Sequence, residues 1–383
     1  MPIDHEYLRR TLEDLVRIDS INPTLVSGGA GEAEIAGYVS SSMRSSGLEV
    51  HLHEPEPGRP SVVGRLRGSG GGRTLMLNAH YDTVGVDEMA DPFSAAVRDG
   101  RLYGRGAYDM KGSLAAQMAA ARALAGQGWA AGGDLLVAAV ADEEYGSIGT
   151  SDLIGRYPAD GAVVTEPTAL KVCLAHKGYQ WIEVVTTGRA AHGSRFDAGI
   201  DANMRMGRFL AGLDQLEREL RARPPHPLVG PPSLHAATIE GGSGLSTYAA
   251  RCRLRIERRT VPGETDRQVL EEIESIARRL AAGDPTFEAT VRPLFVRGPF
   301  EVSREAAIVK TVSRAVTETL GCAPEYFGDT PWMDAALLAA AGVETVVIGP
   351  AGAGAHAAEE WVDIESVARL AEILAHTAIE YCR

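Results

Sequence analysis

Cysteine is scarce in this chain. The four present, Cys173, Cys252, Cys322 and Cys382, are widely spaced and form no CxxC pair. This pattern argues against a redox couple, and buried free thiols in a reducing compartment are the expectation. Long apolar runs are also missing: none approaches the roughly 20 residues that cross a bilayer. The N-terminal stretch MPIDHEYLRRTLEDL has no apolar segment of the kind found in a secretory leader. A cytoplasmic protein with no membrane partner is expected. Positive charge is in deficit, with 38 Lys and Arg against 51 Asp and Glu, a net −13. Such an acidic surface argues against nucleic acid and anionic membranes as partners. Repeats and disordered tracts are absent. The one glycine-rich run, GSGGGR at 68–73, lacks the strand–turn–helix setting of a phosphate loop and reads as a tight turn.

What is present supports a large folded protein. The 383 residues suggest two domains, and 45% apolar residues can fill their cores. Leu8, Leu12, Leu15 and Val16 recur at helical spacing. TLMLNAH, LLVAAVA, GAVVTEP and ETVVIGP read as buried strands, alternating with helices such as SLAAQMAAARALAGQG. That alternation predicts an α/β fold, a mixed, mostly parallel sheet flanked by helices. From about Lys177 the texture changes. Alternating strands (YQWIEVVTTG, YAARCRLRIERR) now accompany amphipathic helices, one with Met206, Phe209, Leu213 and Leu216 on one face. The expected organisation is an α/β domain, 1–177 and 293–383, split by a smaller α+β insert at 178–292.

The chemistry-bearing residues fall just past the carboxyl ends of the buried strands. His80 and Asp82 follow the first, Asp142, Glu143 and Glu144 the second, Glu166 the third and His356 the last, while Asp109 stands in a loop before a helix. Open α/β sheets place ligand sites along this rim. Carboxylates crowded there would repel one another, and burial would raise their pKa values. Divalent cations remove the conflict. Two His with several carboxylates exceed one tetrahedral zinc and fit two metals sharing a bridging carboxylate.

The motifs HYDTV, GRGAYDMKG, DEEYGS, TEP, AHGSR, RRTVPGE and GAH occur in this order. Together they resemble the metallo-amidohydrolases that include acetylornithine deacetylase, succinyl-diaminopimelate desuccinylase, aminoacylase and carboxypeptidase G. The resemblance spans nearly the whole chain, and GRGAYDMKG with HYDTV and the paired Glu carries its specificity. It implies a zinc-exopeptidase-like catalytic fold with a lid and dimerisation insert, hence a homodimer. It implies two metal ions, zinc by family expectation, although such ligands also accept cobalt and manganese. His80 and Glu166 would hold one metal, Glu144 and His356 the other, and Asp109 would bridge them. Asp82 would orient His80. Glu143 would be the general base acting on a water between the metals, His192 an oxyanion donor reaching across the dimer, and Arg259 the partner of the substrate carboxylate. Strand alternation sends the adjacent Arg258 to the opposite face.

The implied reaction is hydrolysis of the amide of an N-acyl amino acid, of the acetylornithine deacetylase or desuccinylase kind. A carboxypeptidase or dipeptidase reaction is the near alternative, and a catalytically dead metal-dependent binding homologue a further one. Phosphoester hydrolysis would need more cations at the rim than Lys111. Three positions depart from the family pattern, Asp201, Ser246 and Met333, and leave the acyl group and amino acid open. Asp142 has no assigned role beyond supporting or capping its neighbours.

Overall fold

The computed structural model describes residues 2–87 and 89–383. It divides into two units. One comprises residues up to Leu174 with Val302–Phe327 and Met333–Arg383; the other is Ala175–Glu301 with Gly328–Trp332. The boundary expected at 292/293 falls inside the strand Glu288–Arg297, whose outer residues continue the pairing of the insert sheet. Alternation of apolar and polar residues fades there at Pro293, where the register shifts, so the sequence pattern ended too early.

The first unit is built on a mixed sheet. Its order is Glu49–His53, Ser61–Leu66, Leu135–Val140, Leu75–His80, Gly161–Val164, Glu344–Val347 and Val172–His176. The pairings among Leu135–Val140, Leu75–His80, Gly161–Val164 and Glu344–Val347 are parallel. Ser61–Leu66 joins the sheet antiparallel to Leu135–Val140. Every residue of Leu75–His80 and of Leu135–Val140 is buried, so both faces of the sheet are covered. This is why these strands are continuous apolar runs rather than alternating ones. The helix Gly112–Gly126 is apolar nearly all round, as a helix packed on several sides must be. It lies against His5–Arg17, Ile364–Tyr381 and the sheet, and its alanines permit the close approach. Polar side chains start the outer helices: Asp4 accepts from the N–H of Tyr7 at 3.0 Å, and Asp363 from that of Ser366 at 2.7 Å.

The second unit has an antiparallel sheet in the order Ser233–Gly241, Arg251–Thr260, Gly178–Thr187, Glu288–Arg297. Helices Ala202–Ala222 and Asp266–Gly283 cover one face, where Ile182, Val184, Leu254 and Ile256 meet Met206, Phe209, Leu213, Val269 and Ile273. The alternate residues of the same strands, among them Tyr179, Trp181 and Arg259, take the other face. Asp201, one of the departures from the family pattern, caps the first helix by accepting from the N–H groups of Asn203 at 2.8 Å and Met204 at 3.2 Å.

Cys173, Cys252 and Cys382 are buried and outside any disulfide; Cys322 is exposed, against the expectation for all four. Among the described residues no helix is long and apolar enough to cross a membrane.

Candidate active site

Parallel pairing brings the strand ends to one level. His80 lies opposite Val140, and Val164 lies opposite both Asn78 and Val347. The residues that follow each strand therefore emerge side by side. The chain turns sharply at Asp142, whose φ of 67° is a left-handed conformation that Asp tolerates. The N–H of Gly146 donates to the Asp142 carbonyl at 3.0 Å and closes the turn. Glu143 and Glu144 are thereby folded back onto the rim.

Two groups of three ligand atoms result: His80, Asp109 and Glu166, and Asp109, Glu144 and His356. Within each, all atoms lie inside 4.8 Å of one another. Asp109 belongs to both. One of its oxygens is 3.1 Å from Nε2 of His80 and the other 3.4 Å from Nε2 of His356. His80 Nε2 is 3.7 Å from Glu166, and His356 Nε2 is 3.1 Å from Glu144. His80 is 1% exposed, whereas the His356 side chain is 55% exposed. Glu143 comes within 3.9 Å of His80 Nε2 and stands in neither group.

The electrostatics show the strain of this crowding. Burial, and then the charge of Glu166, pushes Glu143 well above the usual carboxylate range. Burial pushes Glu166 up as well. Burial would lower His80, but its contact with Asp109 and the charges of Glu166 and Glu143 hold it above the imidazole range. Hydrogen bonds to Asp109 and Glu144 push His356 up to about 10. A rim that can discharge itself only by taking up protons is one that cations would stabilise. The donor set, imidazole nitrogens and carboxylate oxygens with one shared carboxylate, fits two divalent ions of the zinc, cobalt or manganese type.

Asp82 is placed differently from a simple imidazole partner. His80 Nδ1 lies 3.0 Å from the Asp82 carbonyl and 3.6 Å from its carboxylate. The carboxylate accepts from the N–H of Glu143 at 3.1 Å, from that of Glu144 at 3.3 Å and from Asn22 Nδ2 at 2.8 Å. It thus ties the paired glutamates to the strand that carries His80. Asp142 is also accounted for. It accepts from the same Asn22 amide at 2.9 Å and from Arg59 at 2.8 Å, and Arg59 grips buried Glu32 with two of its nitrogens. Nothing in the motifs pointed to Asn22, Glu32 or Arg59, because they lie 27 to 120 residues from the groups they hold. Asp334 is buried beside Thr150, and burial pushes its carboxyl up to about 6. Lys111 is buried with its ammonium on the Ile18 carbonyl at 2.8 Å, which removes the cation a phosphoester reading needed.

The remaining expected residues lie in the insert. His192 is exposed, and its contacts with the Ser194 amide at 3.3 Å and the Ser194 hydroxyl at 2.9 Å both run through Nδ1. Arg258 is fully buried on the helix-covered face beside Glu264 and Glu272. Arg259 is on the opposite face, stacked 5.3 Å over the Tyr179 ring and donating to the Thr330 carbonyl.

The sequence pattern described as peptidase family M20/M25/M40 matches residues 76–380. An acetylornithine deacetylase of Myxococcus xanthus is 32% identical, over 98% of this chain and 97% of its own. An N-formyl-4-amino-5-aminomethyl-2-methylpyrimidine deformylase of Bacillus subtilis is 28% identical, over 91% and 89%. Among solved structures, a dinuclear metal-binding peptidase of Bacillus subtilis shares the fold, with a TM-score of 0.78 at 15% identity over 99% of this chain and 98% of that one.

Proposed function

The chain belongs to peptidase family M20/M25/M40 and is a hydrolase of amide bonds, and from that premise we propose that it deacylates N-acyl amino acids of the acetylornithine or succinyl-diaminopimelate type. One observation carries the catalytic assignment: of the paired glutamates, Glu144 joins a group of three potential ligands and Glu143 does not. His80, Asp109 and Glu166 would hold one cation and Asp109, Glu144 and His356 the other, zinc being the proposed metal. When bound, the ions supply positive charge that polarises the scissile carbonyl and acidifies water.

The protein's own groups do the rest. Glu143 takes the proton of the attacking water and returns it to the leaving nitrogen, a shuttle that a carboxylate free of other bonds can perform. Asp82, by accepting from the Glu143 and Glu144 amides, keeps both side chains aimed at the rim. His192 offers Nε2–H to the developing oxyanion; its Nδ1 contact with the Ser194 amide supports that tautomer. Arg259 binds the substrate carboxylate, and its stacking on Tyr179 holds the guanidinium fork in one plane. The protein acts as a homodimer joined through the insert, whose exposed Phe196, Met204, Ile239 and Leu245 are suited to burial against a second copy. Three buried thiols are in keeping with a cytoplasmic location.

The deformylase resemblance offers a rival substrate class with no carboxylate in its name. Arg259 favours the amino-acid class. The test is a panel of N-acetylornithine, N-succinyl-diaminopimelate, dipeptides and the N-formyl aminopyrimidine with the zinc-loaded chain. An amino-acid deacylase should show Arg259→Ala raising KM about 10- to 100-fold for carboxylate substrates, the loss of one or two charge-assisted bonds. Turnover of the aminopyrimidine alone, indifferent to Arg259, would overturn the reading.

A further inference from the structure

The candidate site does not explain why Glu360 is buried. Glu359, beside it, is exposed, while Glu360 is 1% exposed and stands in neither ligand group. Its carboxylate is aimed at the backbone of the loop that carries Asp109. One oxygen accepts from the N–H of Tyr108 at 2.9 Å and from that of Asp109 at 3.0 Å. The other accepts from the N–H of Gly106 at 3.1 Å and from Arg105 at 2.7 Å. Four donors fill the accepting capacity of a carboxylate, which is what makes its burial tolerable. Gly106 presents its N–H only because it holds a φ of 77°, and a Cβ there would meet Thr83 at 2.7 Å.

Arg105 extends the contact to the turn at His356 and Ala357. It is 3% exposed, and besides Glu360 it donates to the carbonyls of Gly85 at 3.0 Å and Ala357 at 3.1 Å. Ala357 follows His356 directly. The carboxylate of Glu360 thus holds the amide of Asp109, while its guanidinium partner holds the residue after His356. The His356 ring itself is half exposed and its backbone is left-handed, with a φ of 61°. Its own side-chain contacts are Glu144 and Asp109. Nothing else described ties the 356–357 turn to the Asp109 loop through buried charge.

We infer that Glu360 is a positioning residue that sets Asp109 against His356 and so builds the cation position formed by Asp109, Glu144 and His356. The other position, with His80 and Glu166 on adjacent strand ends, is held by the sheet and depends on Glu360 less. The inference rests on the two-metal reading above.

Cobalt titration of the dialysed full-length chain, followed by visible absorption, tests it. The wild-type chain should take up two equivalents. Glu360→Gln keeps the shape but turns an amide NH₂ toward two N–H donors. It should bind one equivalent within a few-fold of wild type and the other about 10- to 100-fold more weakly, the usual cost of removing a group that supports a ligand. A general loss of structure would not single out one absorption band, and circular dichroism should match wild type. Two equivalents at wild-type affinity, or equal weakening of both in a folded variant, would overturn the inference. If Glu360→Gln fails to fold, Arg105→Lys serves in its place: it keeps a cation beside Glu360 but cannot also span Gly85 and Ala357. It should weaken one equivalent about tenfold, and unchanged binding would overturn the inference equally. A wild-type chain that takes up no second equivalent sinks the two-metal reading itself, and the Glu360 assignment falls with it.

Discussion

Replacing Glu143 by Gln separates proton transfer from metal binding more cleanly than any other change at the rim. The substitution keeps the side chain's size and leaves its backbone N–H on Asp82 at 3.1 Å. It removes one negative charge from a buried cluster in which the charge of Glu166 already opposes that of Glu143. Neither group of three potential ligands includes Glu143, so metal content should stay at two ions per chain. Loss of a general base costs about 10²- to 10⁴-fold in rate, equivalent to about 3–5 kcal/mol in the barrier. The whole loss should appear in kcat, with KM within a few-fold, because the group acts on the water rather than on the bound substrate. The metal-free variant should unfold at a urea midpoint no lower than wild type, since a repulsion has been relieved. Steady-state kinetics, elemental analysis and urea melts are the assays. A variant that keeps kcat refutes the base assignment. One that loses metal in proportion to activity makes Glu143 a ligand instead.

Three further outcomes follow from the same geometry. Asp109→Ala removes the carboxylate shared by both groups, and elemental analysis should find at least one ion missing; full occupancy would exclude a bridging role. His192→Ala and Glu143→Ala chains, each inactive, should recover part of the activity when mixed, if His192 serves the partner's site; no recovery under demonstrated subunit exchange counts against it. Arg59→Met strands Glu32 and Asp142 as buried carboxylates, both at 3% side-chain exposure or less, so urea unfolding should show a loss of about 3–5 kcal/mol; a change under 1 kcal/mol would show that water reaches them.

The strand ends were legible because chemistry and periodicity coincide there. Seven apolar residues ending in Asp142, Glu143 and Glu144 are a local signal, and so are the His80 and Glu166 positions behind their own buried strands. That Arg258 and Arg259 take opposite faces also follows from alternation, and the helix-covered burial of Arg258 matches it, whereas the choice of Arg259 rested on the family resemblance. The supporting groups were not legible. Asn22 joins Asp82 to Asp142 across 60 and 120 residues, and no spacing rule links positions so far apart. The end of the insert was misjudged for a related reason. Pro293 and the irregular register beside it blur the alternation just where the edge strand continues to Arg297.

By itself the sequence determined which elements form, the α/β class, the family and the residues able to bind cations, because each depends on local period, residue type or a short ordered motif. Only the tertiary structure decided which of two neighbouring glutamates enters a ligand group and which stays outside it. It alone gave Asp142 its arginine and Asp82 its hold on two backbone amides, and it buried Glu360 under the Asp109 loop while leaving Glu359 exposed. The reason is common to all of these. A side chain's type is a property of one position, but the charge and hydrogen-bond partners that set its role arrive from strands and loops that meet only when the chain has folded.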